Sequence, residues 1–378
     1  MVTVTISSPR SDLAHGWSEL VSCGSPNVFM NPAVLKAAQD TMFAVVHVLC
    51  AWDGGIDSQK LVGLWALQEK QLFPWWPAVL EALPFEYAFL SSPVIDPAYT
   101  DEVVAAFFLA IRNNRSLPNV VSFKQLDGEA SSYQAMRRLF AADGNRVMKL
   151  AESQRPVASP DTGVKKSGST RKKLRQDWNR LSALGSVDIV NVRDGRLANE
   201  DFETFLALEA ASWKGAEGTA LLCSARDARF VRAMFANLAA RGEASVALLR
   251  VDGRAIAAQV LMYCGKTAFT WKTAFDAEFS KFSPGALLID KVTEELFAEG
   301  AVETIDSCSA EGGFMANLWT GRRTMIDMVV NVSPRWSTSF AMEAGRQISR
   351  QRFRHWRDRL RTLSWLQPGK KVGLAANH

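Results

Sequence analysis

Three observations predict an α+β protein of two halves built on a mixed, predominantly antiparallel sheet. The first is length. With 378 residues, 48% of them apolar and 22% charged, the chain suffices for two cores at roughly 100–200 residues per domain. The second is the order of elements after residue 165, in which three consecutive strands are joined by the tight turns Asp252-Gly253 and Gly265-Lys266. That antiparallel meander interrupts the α/β alternation and excludes a doubly wound sheet. The third is a break in composition. At 152–170, ESQRPVASPDTGVKKSGST, apolar residues nearly vanish and Pro, Ser, Gly and Lys take over, as in a linker or mobile loop. The boundary placed there gives a first domain 1–155, a second 165–335 and a basic helical tail 336–378.

In the first part, 42–51 and 61–68 read as strands separated by Asp53-Gly54-Gly55, with 85–90 and 120–124 as further strands. Segments 101–113 and 131–142 have helical period and length. PWWP at 74–77 reads as a packed corner. The second part begins with an amphipathic helix at 169–184, whose Leu174, Trp178, Leu181 and Leu184 share one face and which Gly185 stops. Strand 187–192 follows. Asn199 is placed to cap a helix through Trp213, and 225–241, closed by Gly242, is the next helix. The meander 244–250, 255–264 and 267–274 leads to a helix ended by Gly300, strand 302–306, a short helix within 312–320 and strand 324–332.

Several chemistries are excluded. The five cysteines are scattered without a CxxC pair, which argues against a disulfide framework or structural zinc and for a reducing, cytoplasmic setting. Only four histidines occur and none lies between 151 and 345, so a Ser–His–Asp triad or a His-rich metal centre is impossible there, and no metal is expected. There is no GxGxxG, and Gly265-Lys266-Thr267 lacks the first P-loop glycine, since position 260 is Val260. No signal peptide and no apolar run of membrane-spanning length is apparent. The net charge of +5 is uneven: 165–180 holds seven Lys/Arg against one acid and 335–371 ten against two, on an otherwise acidic chain. Two cationic segments imply an anionic partner or a local structural reason.

The best-placed chemistry is the junction Trp271-Lys272-Thr273-Ala274-Phe275-Asp276, continuing into Lys281-Phe282-Ser283-Pro284-Gly285-Ala286. Ser283 can cap the next helix, Pro284 fits its first turn and Gly285 permits close approach, so free N–H groups and the helix dipole suit a pyrophosphate. The same Ser-Pro-Gly is equally a plain helix start.

The order of elements resembles the GNAT acyltransferase fold. STRKKLRQDWNRLSAL at 169–184, FLALEAASWKGAEGT at 205–219, IAA at 256–258, WKTAFDAEF and SPGAL at 271–287, and IDS at 305–307 resemble its CelD/BcsL-type, BioF2-like branch, associated with cellulose biosynthesis. The likeness covers about 165–335 and extends weakly to FMNPAVLKAA and LVGLWAL in the first part, which implies a second, degenerate half and hence tandem GNAT-like halves. It places acyl-CoA, acetyl-CoA first, at Lys281, Ser283, Gly285, Ala286 and Leu287. One departure stands: Lys281 precedes Gly285 by four positions where the family's phosphate loop has three.

Acyl transfer to an amine or hydroxyl needs a base, backbone donors for the thioester carbonyl and alignment of the two substrates. Glu209, Asp276 and Asp306 are the carboxylates of the resembling motifs. Asp276 reads as base or as loop cap, and with Asp306 it is expected on neighbouring strands facing one cleft. Trp213 and Lys214 line an acceptor site or are core and solvated residues; Trp271, Lys272 and Phe275 read as acceptor platform or packing. Cys308 reads as small and buried. The basic helices read as solvated or docking faces, or as surfaces for phosphates, an acidic partner or anionic lipid. The expectation is direct acyl transfer, linked to cellulose or exopolysaccharide assembly. Fem-like transfer from aminoacyl-tRNA and a catalytically degenerate scaffold are the alternatives.

Overall fold

The apolar runs of the first part form β1 (Val2–Ser7), β2 (Val46–Asp53), β3 (Leu61–Lys70), β4 (Val79–Glu81), β5 (Val94–Ile95) and β6 (Val120–Asp127). Helices α1 (Trp17–Cys23), α2 (Pro32–Asp40), α3 (Thr100–Asn113) and α4 (Ser131–Asp143) cover them. The computed structural model describes residues 2–9, 16–54, 60–161, 163–333 and 335–364; Gly55 of the expected turn and the tail beyond Ser364 lie outside them. Segment 85–90 is not a strand. Phe85, Ala88 and Leu90 are buried, but three of its carbonyls are taken by side chains: Tyr87 by Trp271 Nε1 (3.0 Å), Phe89 by Arg155 Nη2 (2.6 Å) and Leu90 by Asn27 Nδ2 (3.1 Å).

The second part follows the expected order: α5 (Ser169–Ser182), β8 (Val187–Val192), α6 (Gly195–Ala211), α7 (Trp213–Ala216), α8 (Ala225–Ala239), β9 (Ala244–Val251), β10 (Arg254–Cys264), β11 (Thr267–Phe275), α9 (Pro284–Ala298), β12 (Thr304–Asp306), α10 (Met315–Leu318), β13 (Gly321–Asn331) and α11 (Thr338–Ser364). Asp194, not Asn199, caps α6: its Oδ1 accepts from the N–H of Arg196 and Leu197, both at 3.1 Å, while Asn199 lies a turn inside the helix. The helix therefore starts five residues earlier than a cap at Asn199 would allow.

The largest departure is at the supposed linker. Its first half belongs to a long strand, β7 (Arg146–Ala158), paired along its whole length with β13. Sheet order is β1-β2-β3-β4-β6-β13-β7-β12-β11-β10-β9-β8, with β5 beside β3. Among the described strands only β4·β6 and β11·β12 are parallel. The two central strands are thus exchanged: β13, last in sequence, completes the first half against β6, and β7, which closes the first half in sequence, pairs with β12 of the second. Most β7 side chains before Arg155 are exposed or half-buried, so the strand has no apolar alternation to betray it.

Aromatic side chains weld the halves. Phe43 stacks on Phe230 (centroids 4.1 Å apart) and Phe29 meets Phe269 edge-on at 5.8 Å. The larger core runs from Trp65 and Phe107 through to Phe202, Met262 and Trp271. A second core under α5 and α9 holds Leu174, Leu181, Leu288 and Trp319. The PWWP turn is not a packed corner, because Trp75 is 78% exposed.

Candidate active site

β11 and β12 pair over three positions only, ending at Phe269↔Asp306. β12 then leaves the sheet while β11 continues to Phe275, so the two chains diverge. β11 also slips against β10, with Val260 opposite Lys272 and Leu261 opposite Thr270, which makes Trp271 an extra, bulged residue. Divergence and bulge together leave backbone at Thr270–Phe275 on the side vacated by β12, where amides of a ligand can pair.

At the far end of this edge the chain turns through a 3₁₀ segment, Ala277–Phe282, into α9. Ser283 is left-handed (φ 52°) and its side chain does not cap the helix; its Oγ accepts from Lys173 Nζ of α5 at 2.7 Å. The Ser283 carbonyl takes the N–H groups of Ala286 (3.0 Å) and Leu287 (3.1 Å), and Leu287 is buried. Of the expected phosphate ligands, the Gly285 N–H is therefore the one with no acceptor among the described residues. A methyl group on Gly285 would meet Thr273 and Phe275 at an ordinary 3.5–3.6 Å, so packing does not require glycine here. Lys281 and Arg180 sit over the Phe282 ring at 5.0 and 5.3 Å. Lys173, Arg180 and Lys281 thus ring the start of α9, with the buried carboxylate of Asp177 bound to the first two. Arg171, Arg175 and Lys291 line a cavity of about 510 Å³ between α5 and α9.

Glu209, near the end of α6, is wholly buried. Its Oε1 lies 3.1 Å from Lys214 Nζ and 3.7 Å from Lys272 Nζ, and Oε2 accepts from the Leu221 N–H at 3.0 Å. The α6–α7 corner brings Lys214 back to Glu209. Gly215 is obligatory in it, because a Cβ would fall 1.8 Å from the Ala210 carbonyl oxygen. Lys214 Nζ also reaches the Thr273 carbonyl of β11 at 3.4 Å. Burial, seconded by the Lys214 charge, holds the Lys272 ammonium below its ordinary range, with Glu209 opposing. The Lys272 amine lies over the rings of Tyr87 (5.2 Å) and Trp271 (5.6 Å), and the Tyr87 hydroxyl donates to Asp227 at 2.6 Å. Burial and that carboxylate push the Tyr87 phenol well above its usual range.

The structure therefore joins Glu209, Lys214 and Lys272 but separates the other two carboxylates. Because Asp306 aligns with Phe269, Asp276 stands seven residues further along β11, roughly 20 Å away at about 3.3 Å per residue. They do not face one cleft. Asp276 is a loop cap: it accepts from the Glu278 N–H at 2.9 Å and pairs with Arg254. Asp306 is buried and its lone pairs are occupied by Arg155 Nη1 (3.3 Å), Arg323 Nη1 (3.0 Å) and the Cys308 N–H (2.8 Å). Trp271 is core, Phe275 packs beneath α9, and Trp213 is half-exposed on the surface. Cys308 is buried, and burial with Asp306 beside it raises its thiol far above the usual value, against any thiolate role.

Sequence reasoning missed Arg155 and Gln125. Arg155 sits within the supposed linker, yet it is buried and ties Asp306 to Phe89 and Gln125 of the first half. It lines a second cavity, of about 530 Å³, between the halves just beyond the end of β12, together with Phe89, Gln125, Lys124, Cys308 and Ser309. Gln125 and Cys308 in this wall are both left-handed (φ 56° and 49°), a backbone cost that the surrounding packing sustains. Buried Arg155 Nε and Ser309 Oγ have no hydrogen-bond partner among the described residues. Among the described residues no three His, Cys, Asp or Glu side chains converge as a metal site would require.

Residues 168–313 match the family of acetyltransferase (GNAT) domains. The match falls within the second half. A comparison with curated proteins finds no match. Among solved structures, FemX is similar over 85% of this chain and 96% of its own (TM-score 0.59, 11% identity). The C-terminal domain of an Agrobacterium fabrum protein described as a candidate lysylphosphatidylglycerol synthetase is similar over 87% and 93% (0.53, 15%). L-PGS from Bacillus licheniformis is similar over 91% and 98% (0.50, 14%). At such identities these likenesses establish the fold, which extends across both halves.

Proposed function

We propose that the protein transfers an acyl group from acyl-CoA, acetyl-CoA first, directly to an amine or hydroxyl acceptor. The observation that carries this reading is the divergence of β11 from β12 at the Trp271 bulge, leading to an α9 start ringed by Lys173, Arg180 and Lys281. A CoA thioester laid along that edge pairs its amides with β11 and sets its pyrophosphate against the Gly285 N–H and the three cations. The acceptor enters the 530 Å³ cavity, whose carboxylates, amides and cations suit a polar, hydroxyl- or amine-bearing molecule such as a sugar. A role in cellulose or exopolysaccharide assembly, in a reducing cytoplasm, is consistent with such an acceptor and with five free cysteines.

In the reaction the acceptor nitrogen or oxygen attacks the thioester carbonyl, the C–S bond breaks, and CoA leaves as the thiol. We assign acceptor deprotonation to Lys272, which lies over the ring of Tyr87, between the cavity-lining residues Glu86 and Ala88 in the chain, and whose depressed basicity gives a neutral amine at lower pH than an ordinary lysine, with Glu209 and Lys214 fixing its position. Asp276 and Asp306 are then structural. The rate is expected to rise with pH as Lys272 loses its proton, and Lys272→Arg, always charged, to lose at least about a hundredfold in kcat. An unchanged pH profile in that variant would remove Lys272 from the chemistry.

The cationic cavity beside α5 favours a second reading, aminoacyl transfer from charged tRNA. A gel shift at low salt tests it; absence of tRNA binding ends it.

A further inference from the structure

The turn joining β3 to β4 does the opposite of what its composition demands. From Gln71 to Val79, QLFPWWPAV, it carries no charge, yet Leu72, Phe73 and Trp75 are 49%, 52% and 78% exposed. They are held outward by a braced structure. The Gln71 side-chain amide donates to the carbonyls of Pro74 (3.2 Å) and Trp76 (3.0 Å), the Trp76 N–H closes a turn onto the Phe73 carbonyl (2.9 Å), and the Phe73 and Trp75 rings stack 5.3 Å apart and nearly parallel. The patch continues across the strand pair. The Glu69 N–H donates to the Val45 carbonyl at 3.0 Å, which brings Met42 (81% exposed) and Val45 (63%) to the same end of the sheet.

The cationic helix α11 packs on β13 and β7 on the side of the sheet from which this turn leaves. Arg350 lines the same cavity as Lys70, the residue entering the turn, and Phe340 packs on the small apolar cluster that includes Val79, the residue leaving it. Residues 338–364 carry seven arginines against two acids. The molecule thus combines a rigid aromatic and aliphatic tip with a helix of strongly cationic sequence.

We propose that this end docks on the surface of an anionic lipid bilayer, with Leu72, Phe73 and Trp75 entering the interface and α11 meeting the headgroups. Tryptophan and phenylalanine partition into that interface, and a hydrophobic insertion combined with a polybasic segment supplies the two signals that stable peripheral binding takes. Five side chains on a tip are too few for a second copy of the chain, since a stable dimer interface takes about 20–30 residues a side. Among the described residues no helix is long and apolar enough to cross a membrane, so the contact is peripheral. The inference is independent of the acyl-transfer reading.

Flotation of the full chain with phosphatidylcholine vesicles, with and without phosphatidylglycerol, tests the proposal. The expected result is binding to the phosphatidylglycerol vesicles that weakens with added salt and falls at least about tenfold in the double variant Phe73→Ser, Trp75→Ser. Both residues are exposed, so the variant keeps the wild-type melting temperature. No binding by the wild type, or equal binding by the variant, overturns it. So does a wild-type dimer in light scattering that the double variant abolishes, since the patch is then an interface between copies.

Discussion

Lys272 and Glu209 share one buried cluster, and burial makes Lys272 the group with depressed basicity in it. The sign of the consequence is definite. With its folded pKa below the unfolded one, the unfolded chain binds more protons between the two values. Stability therefore rises with pH across that window, and the cost of the buried charge is fully present below it. Melting temperatures measured between pH 7 and 10 should climb more steeply in the wild type than in Lys272→Met, and identical slopes would contradict the assignment. Asp306 behaves differently. Its removal strands the buried guanidinium of Arg155, so Asp306→Asn is expected to lose about 3–5 kcal/mol in urea unfolding. A loss below about 1 kcal/mol would return Asp306 to the list of candidate bases. Asp276 was readable as a cap or as a base with equal ease, because an Asp ahead of a short helical turn serves either; the Arg254 contact and the register of β11 decide for the cap.

Elements were legible where periodicity is one-sided. The meander, α3, α5 and α8 carry the expected apolar faces, and their limits differ by a residue or two. Two failures have one cause. Segment 85–90 is apolar because most of it packs inward, yet three of its carbonyls bond to side chains, and β7 is polar because it faces water and a cleft, yet its backbone pairs with β13 along one whole edge. Hydrophobic pattern reports burial, and these segments separate burial from pairing. The basic face of α5 has a similar history: its charge was readable, but its seat over the start of α9 was not. Lys173→Ala combined with Lys281→Ala should weaken acetyl-CoA about tenfold or more in calorimetric titration, with the effect shrinking at high salt. Unaltered affinity would dissociate α5 from the donor site.

Across the whole molecule, the exchanged strands β7 and β13 and the shared aromatic core make two sequence halves one cooperative structure. The tandem plan was readable from length and element order, whereas the exchange was hidden because strand order leaves no trace in local pattern. Heating should give one transition by circular dichroism and by tryptophan fluorescence, and a fragment ending at residue 160 should not fold, since β6 would lose its partner β13. Two separated transitions would show that the halves are independent.

The most direct test concerns the donor. A carboxylate at Gly285 stands where the pyrophosphate is placed, while the space over that residue accepts a Cβ and an acidic group suits a helix start. Calorimetric titration of wild type and Gly285→Asp with acetyl-CoA should give binding in the first and at least a tenfold loss in the second, with circular dichroism showing the variant folded at the temperature of the titration. Equal binding by both, or none by the wild type, would contradict the assignment of α9 and the open edge of β11 as the acyl-donor site.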